Sequence, residues 1–210
     1  MTPTCPLCGD GARLWAHVMG AAYHRCGTCA LTVLDPAHWP DPAAERARYE
    51  QHRNRPDDPG YRRFLAKLAD PLDDRVPRGS SGLDFGCGPG PTLSAIMEER
   101  GHRVRDYDPF FVPDEDVFAR TYDFVTCSEV IEHVHDPPRV LATLKSLLRP
   151  GGMLVIMSGM VDDGADFANW HYVRDPTHVC FYQPDTMTWI AERFGWRMER
   201  PSITLMSLKK

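Results

Sequence analysis

The sequence predicts an α/β fold preceded by a small metal-binding module, and three observations carry that prediction. From Leu83 onward, short apolar runs alternate with segments whose apolar residues recur at helical spacing. A glycine triplet, Gly86, Gly88 and Gly90, falls where the first of those strands gives way to a helix. Four of the seven cysteines, Cys5, Cys8, Cys26 and Cys29, stand in two closely spaced pairs ahead of the alternation. Apolar strands joined through helices imply a mainly parallel sheet with helices on both faces.

Residues 1–36 read as a zinc-ribbon module, two cysteine knuckles separated by a hairpin, with Trp15–Val18 and Ala30–Leu34 as strand candidates. The spacing within each knuckle lets both sulfurs reach one ion, and tetrahedral zinc takes four thiolates readily. An iron–sulfur site or free thiols are the competing readings. Four protein ligands fill the coordination sphere, so the zinc is read as structural. With few apolar residues in this segment, the metal must supply much of its folding energy.

Residues 37–78 read as a helical linker or cap. Pro36, Pro40, Pro42, Pro56 and Pro59 break any long element and leave a short helix over 43–52. Tyr61, Phe64, Leu65, Leu68 and Leu72 mark a second helix within 60–74. Residues 79–210 form the main domain. Its expected strands are 83–86, 102–107, 122–128, 153–158, 196–200 and 203–208, and its expected helices 92–100, 138–148 and 184–194. Gly151-Gly152 is read as the turn into the 153–158 strand. A loop of about 25 residues precedes the last helix, longer than ordinary connections.

Net charge is −5, from 24 basic and 29 acidic residues. That argues against nucleic acid as a partner, whose binding rests on many phosphate contacts. The cysteine module is itself neutral, with Arg13 and Arg25 set against Asp10 and Asp35. No apolar run approaches the roughly 18 residues of a membrane helix, and the first residues lack the look of a secretory signal. A cytoplasmic protein with no membrane partner is expected.

Around the glycine triplet the string is Leu83-Asp84-Phe85-Gly86-Cys87-Gly88-Pro89-Gly90. Glycines at alternate positions let the backbone turn sharply and approach a ligand closely. A carboxylate heading the turn suits a ligand carrying a cationic amine better than a pyrophosphate. Asp84 therefore disfavours a nicotinamide dehydrogenase.

The stretch resembles the first motif of class I S-adenosylmethionine-dependent methyltransferases. The resemblance implies a Rossmann-like, seven-stranded-type sheet and S-adenosylmethionine as cofactor. It assigns Asp84, Gly86, Cys87, Gly88 and Gly90 to the loop around the methionine part of that cofactor. It assigns Asp108, at the end of the second strand, to the ribose hydroxyls, with Asp106 as the fallback. Tyr122–Val125 and Ser128–Val134 resemble the fourth strand and its exit, which adds Ser128 and Glu129 to the cofactor side. Arg149–Gly152 resembles the turn before strand five, so the match runs over roughly residues 80–160. One departure stands out: only 13 residues separate Asp108 from Tyr122. The third-strand region is thus shortened, and Asp114 and Asp116 are the stand-ins for the acid that contacts adenine. Cys87 and Cys127 also read as small buried hydrophobes, and Glu129, Glu132 and His133 also read as helix-cap and surface residues.

The long loop holds Trp170, His171, Tyr172, Asp175, His178, Phe181 and Tyr182. Loops at the carboxyl ends of the strands line the ligand crevice of an open α/β sheet. His178, or secondarily His171, is the candidate general base for a hydroxyl acceptor. Asp175 would orient a histidine or cap the turn, and Tyr172, Phe181 and Tyr182 would wall the acceptor pocket. The leading reading is O-methylation of a small-molecule or sugar-type acceptor. The alternatives are an RNA methyltransferase with the ribbon as clamp, or a non-catalytic cofactor-binding scaffold.

Overall fold

The elements follow from local sequence, and in the computed structural model residues 3–52, 54–161, 166–202 and 204–210 are described. Strands β1 (Ala12–Val18) and β2 (Ala21–Cys26) form a hairpin around Met19-Gly20, both at positive φ. The partner of β1 is therefore β2, not the segment after the second knuckle. Strand β3 (Thr32–Leu34) comes next. Helix α1 (Pro42–Tyr49) is capped by Asp41 and helix α2 (Pro59–Asp73) by Asp58, each cap followed by a proline. An aspartate that accepts the first free N–H groups, then a ring already at helical φ, is a strong start signal. Many of the prolines that punctuate the linker thus begin helices.

Strand β4 (Ser81–Phe85) leads to helix α3 (Thr92–Glu99), then β5 (Arg103–Tyr107) and β6 (Tyr122–Ser128). Helix α4 (Pro137–Ser146), again capped by an aspartate, Asp136, precedes strand β7 (Leu148–Met157). Gly151 and Gly152 lie inside β7. They form a bulge between the Leu148–Tyr122 and Met153–Phe124 pairs. The long loop contains a two-residue strand, β8 (Cys180–Phe181), which its sequence did not announce. Helix α5 (Pro184–Phe194) and strands β9 (Arg197–Ser202) and β10 (Leu205–Lys209) end the chain. The expected start of the last strand, Ile203, lies outside the described residues.

The main sheet has the order β5-β4-β6-β7-β10-β9. The first four strands run parallel, and β10 is antiparallel to both neighbours. The mainly parallel α/β sheet is as expected; among the described residues it has six strands, where the expected type has seven. The residues between β5 and β6 form a tight Asp108–Val112 bridge and a 3-10 turn at Glu115–Ala119. A parallel crossover needs a dozen or more residues before its strand begins, so no third strand fits. Val117 of that turn is fully buried, and its carbonyl accepts the Tyr122 hydroxyl at 3.1 Å.

Strand alternation divides the core. Phe124, Val155 and Met157 pack with Leu65, Leu68 and Leu72 of α2 and Leu93, Ile96 and Met97 of α3. Val125, Leu154 and Ile156 face the other way, with Leu141 and Leu144 of α4 and Met187 and Ile190 of α5. That second core continues into the cysteine module through Leu31, Val33, Tyr23 and Phe181. The module's own sheet has the order β1-β2-β3-β8, so its last strand comes from the long loop. Among the described residues no helix is long and apolar enough to cross a membrane.

Candidate functional site

The carboxyl ends of β4, β5 and β6 meet at the glycine turn. Gly86 and Gly88 adopt φ of +78° and +66°, a region that side chains avoid. A Cβ on Gly86 would strike Val130, and one on Gly90 would fall 1.8 Å from the Asn54 carbonyl oxygen. The turn is therefore packed beneath the 54–58 linker. Around Gly88 nothing lies within 4 Å of the missing Cβ, so its face is open.

Asp84, Asp106 and Asp108 gather there. Asp84 is buried and accepts the Thr126 hydroxyl at 2.8 Å. Burial pushes its carboxyl up to about 7, with Asp106 and Asp108 adding to the effect. Asp106, beside Asp84 in the parallel register, is raised by burial too, and its Oδ1 has no hydrogen-bond partner. Asp108 accepts the backbone N–H of Gly88 at 3.1 Å and those of Phe110 and Phe111 at 2.8 and 3.1 Å. It thereby ties the glycine turn to the exit of β5. Neutral donors serve all three acids, a hydroxyl or backbone amides. A buried orphan oxygen, and three carboxylates that no cation pairs with among the described residues, fit a cationic ligand. Cys87 is buried in the turn with its thiol pushed up by burial and Asp84, so it is inert. Asp114 is paired with Arg105, and Asp116 is exposed, so neither faces the turn as an unengaged acid.

Strand β6 delivers Ser128 and Glu129. Glu129 sits at φ +53°, a strained conformation for a side-chain-bearing residue. Its N–H donates to the Met157 carbonyl at 2.7 Å. Glu132 is fully buried, against the surface reading of its position. It takes hydrogen bonds from Tyr172 and from Ser158, the latter at 2.9 Å. The Tyr172 hydroxyl also reaches Glu129 at 3.3 Å. Burial pushes both glutamates up, with Glu132 adding to the effect at Glu129 and Asp175 adding to it at Glu132.

The long loop brings His178 to the same place, its ring 4.6 Å from that of His133 and 4.0 Å from that of Tyr172. His178 Nδ1 donates to the Tyr172 carbonyl at 2.7 Å, and His133 Nδ1 to the Thr177 carbonyl at 2.9 Å. Burial first, and His133 next, push the His178 imidazolium down to about 3. The ring is neutral, with the lone pair on Nε2. His171 is exposed at the surface. Asp175 caps the turn through the Thr177 amide and hydroxyl and pairs with Arg48 of α1 at 2.7 Å. Burial opposes ionisation, but these partners prevail and hold Asp175 at about 2. Phe181 and Tyr182, at the end of the loop, are buried. Tyr49, whose ring lies 5.2 Å from that of His133, brings α1 over the cluster. Sequence reasoning undervalued Glu132 and His133; the signal available was two chemically costly residues directly after a strand's carboxyl end.

In the cysteine module, Cys5 and Cys29 sulfurs are 3.5 Å apart and Cys8 and Cys26 sulfurs 3.4 Å. All four lie within 4.8 Å of one another. A disulfide would need about 2.05 Å, whereas zinc–sulfur bonds of about 2.3 Å set tetrahedral edges near 3.8 Å. The donor set fits that ion. Two open depressions lie at the opposite, amino ends of the strands, against Arg103 and Arg149, and contain none of these groups.

Comparison with known proteins agrees with this geometry. The chain is 36% identical over 98 residues to a ubiquinone biosynthesis O-methyltransferase of Aeromonas salmonicida, covering 35% of this chain and 41% of that protein. It is 32% identical over 139 residues to the protein so described from Thiobacillus denitrificans, covering 52% and 60%. The match thus spans less than two thirds of these relatives' length. In fold, it superimposes on the 1,6-didemethyltoxoflavin-N1-methyltransferase of Burkholderia thailandensis with a TM-score of 0.59 at 16% identity, covering 95% of this chain and 99% of that one. A family model described as a methyltransferase domain matches residues 58–200, and the chain belongs to that family.

Proposed function

We propose that the protein transfers a methyl group from S-adenosylmethionine to an oxygen of a small-molecule or sugar-type acceptor, and that its four cysteines hold a structural zinc ion. The observation that carries the reading is the buried acidic pocket at the glycine turn, where Asp84 lies beside Asp106 and Asp108 and its side chain is met by the Thr126 hydroxyl. The cofactor, when bound, supplies a methyl group on a positively charged sulfur, an electrophile that needs little further activation. Asp84 receives the ammonium group of its amino-acid tail, and the backbone of Gly86, Cys87, Gly88 and Gly90 follows that tail. Asp108 receives the ribose hydroxyls, and Ser128 and Glu129 close the side toward the acceptor.

With the electrophile already activated, the protein's task is alignment and exclusion of water. Helices α1 and α2 and the 54–58 linker cover the pocket, and Tyr172, Phe181 and Tyr182 support the acceptor side. His178 meets the acceptor as a neutral imidazole. Its low basicity makes it a fixed hydrogen-bond acceptor for a hydroxyl rather than a lasting holder of its proton. Asp175 holds the turn before His178, and exposed His171 takes no part. The curated relatives matched by sequence support an oxygen acceptor.

Isothermal calorimetry with S-adenosylhomocysteine on the zinc-loaded chain tests the proposal. One molecule should bind per chain, and Asp84→Asn should weaken binding at least about tenfold, the loss of one charge-assisted contact. Absence of uptake by the wild-type protein would refute it.

A further inference from the structure

Glu132, His133 and His178 form a cluster that cofactor binding does not use. One ligand atom from each lies within 4.8 Å of the others. The Nδ1 of both imidazoles is spent on a backbone carbonyl, which can only accept, so each ring is the Nδ1–H tautomer. Each Nε2 therefore carries a lone pair. Glu132 is held from behind by the Ser158 hydroxyl and by Tyr172. Histidines fixed by carbonyls and a carboxylate fixed by hydroxyls are the outer-shell pattern that orients metal ligands.

The local charge points the same way. Glu132 is fully buried and its side-chain partners are neutral hydroxyls. Glu129 adds a second carboxyl across the Tyr172 phenol. The nearby cation Arg48 is neutralised by Asp175 at 2.7 Å. A buried carboxylate is costly unless it is paired or coordinates a metal. Two imidazoles and a carboxylate suit a first-row divalent ion, whereas calcium and magnesium prefer oxygen alone.

We propose that Glu132, His133 and His178 bind a second divalent transition-metal ion, of the zinc class, separate from the four-cysteine site. Three protein ligands leave a coordination position open, as in catalytic rather than structural sites. On the methyl-transfer reading, which this part of the inference rests on, that position takes the acceptor's hydroxyl oxygen, so in the ion-loaded chain His178 acts on the hydroxyl through the ion in place of a direct hydrogen bond. The ion lowers the pKa of the bound hydroxyl, and its proton leaves to water. Ion binding itself stands independently of that reading.

The test counts ions on the full chain. After equilibrium dialysis against Zn2+, elemental analysis should find two zinc ions per chain in the wild type and in His171→Ala. His178→Ala and Glu132→Gln should retain one, with affinity for the second lowered at least about tenfold. His133→Asn, at a less buried position, is the variant to read if either of those fails to fold by circular dichroism. In cobalt-substituted protein the second equivalent should add absorption without thiolate charge transfer. A single zinc per chain in the wild type overturns the proposal, as does a second zinc that survives all three variants. Calorimetry with S-adenosylhomocysteine on the same samples keeps the two proposals apart. Ion binding without cofactor uptake sinks methyl transfer alone, and cofactor uptake with one zinc sinks the metal site alone.

Discussion

Asp84 shows how one residue's environment sets a binding property. Its carboxyl rises from 3.8 to about 7, chiefly through burial. Between those values the folded chain keeps a proton that the unfolded chain has released, so this residue lowers stability as pH rises from about 4 to 7. A cationic ligand reverses the preference by favouring the carboxylate. Affinity for S-adenosylhomocysteine should therefore fall as pH drops below 7, with proton release on binding. Calorimetry near pH 6 in buffers of different ionisation enthalpy measures that release. Asp84→Asn should abolish it, and release that persists in the variant would place the titrating group elsewhere. Asp84 was legible because it heads a glycine turn at the end of an apolar run. The opposite case is Glu132, whose complete burial depends on Ser158 and Tyr172, residues that only folding brings near it.

At the scale of elements, caps are local signals. Asp58 accepts the N–H groups of Gly60 and Tyr61 at 2.6 and 3.1 Å and starts α2 beside Pro59. Asp58→Ala should cost about 1 kcal/mol in urea unfolding; an unchanged midpoint would show the helix start is held by packing instead. Strand β8 had no such signal, since two residues have no period to detect. Yet it couples the cysteine module to the site. The Val179 carbonyl accepts from Leu34 of β3 at 2.9 Å, and its N–H donates to the Glu132 carbonyl at 2.9 Å. Extracting the zinc proposed for the cysteine module should therefore raise hydrogen exchange at Val179 and through residues 178–182, beyond the module itself. Exchange confined to residues 5–34 would mean the coupling carries no energy.

Across the whole molecule, one apolar core joins the cysteine module to the α4/α5 face of the main sheet, from Leu7 and Leu31 to Met206 and Leu208. Each fully buried Leu contributes about 1.5–3 kcal/mol, so the two sheets should unfold together. Scanning calorimetry of the zinc-loaded chain should show one transition, moved upward by S-adenosylhomocysteine. Two resolved transitions, only one of them shifted by ligand, would show that the contacts between the sheets are weak.

By itself the sequence determined what depends on near neighbours. The strand–helix alternation, the turn with its leading acid and the cysteine knuckles are all written within a few residues of one another. The short link from Asp108 to Tyr122 likewise announced a shortened third-strand region, although not that a 3-10 turn around Val117 would stand there in place of a strand. The tertiary structure alone decided which distant groups meet: His178 against His133, Tyr172 against Glu132, and β8 against β3. Those contacts join segments far apart in the chain, and their energy comes from burial and hydrogen bonding across elements, for which no local periodicity stands in.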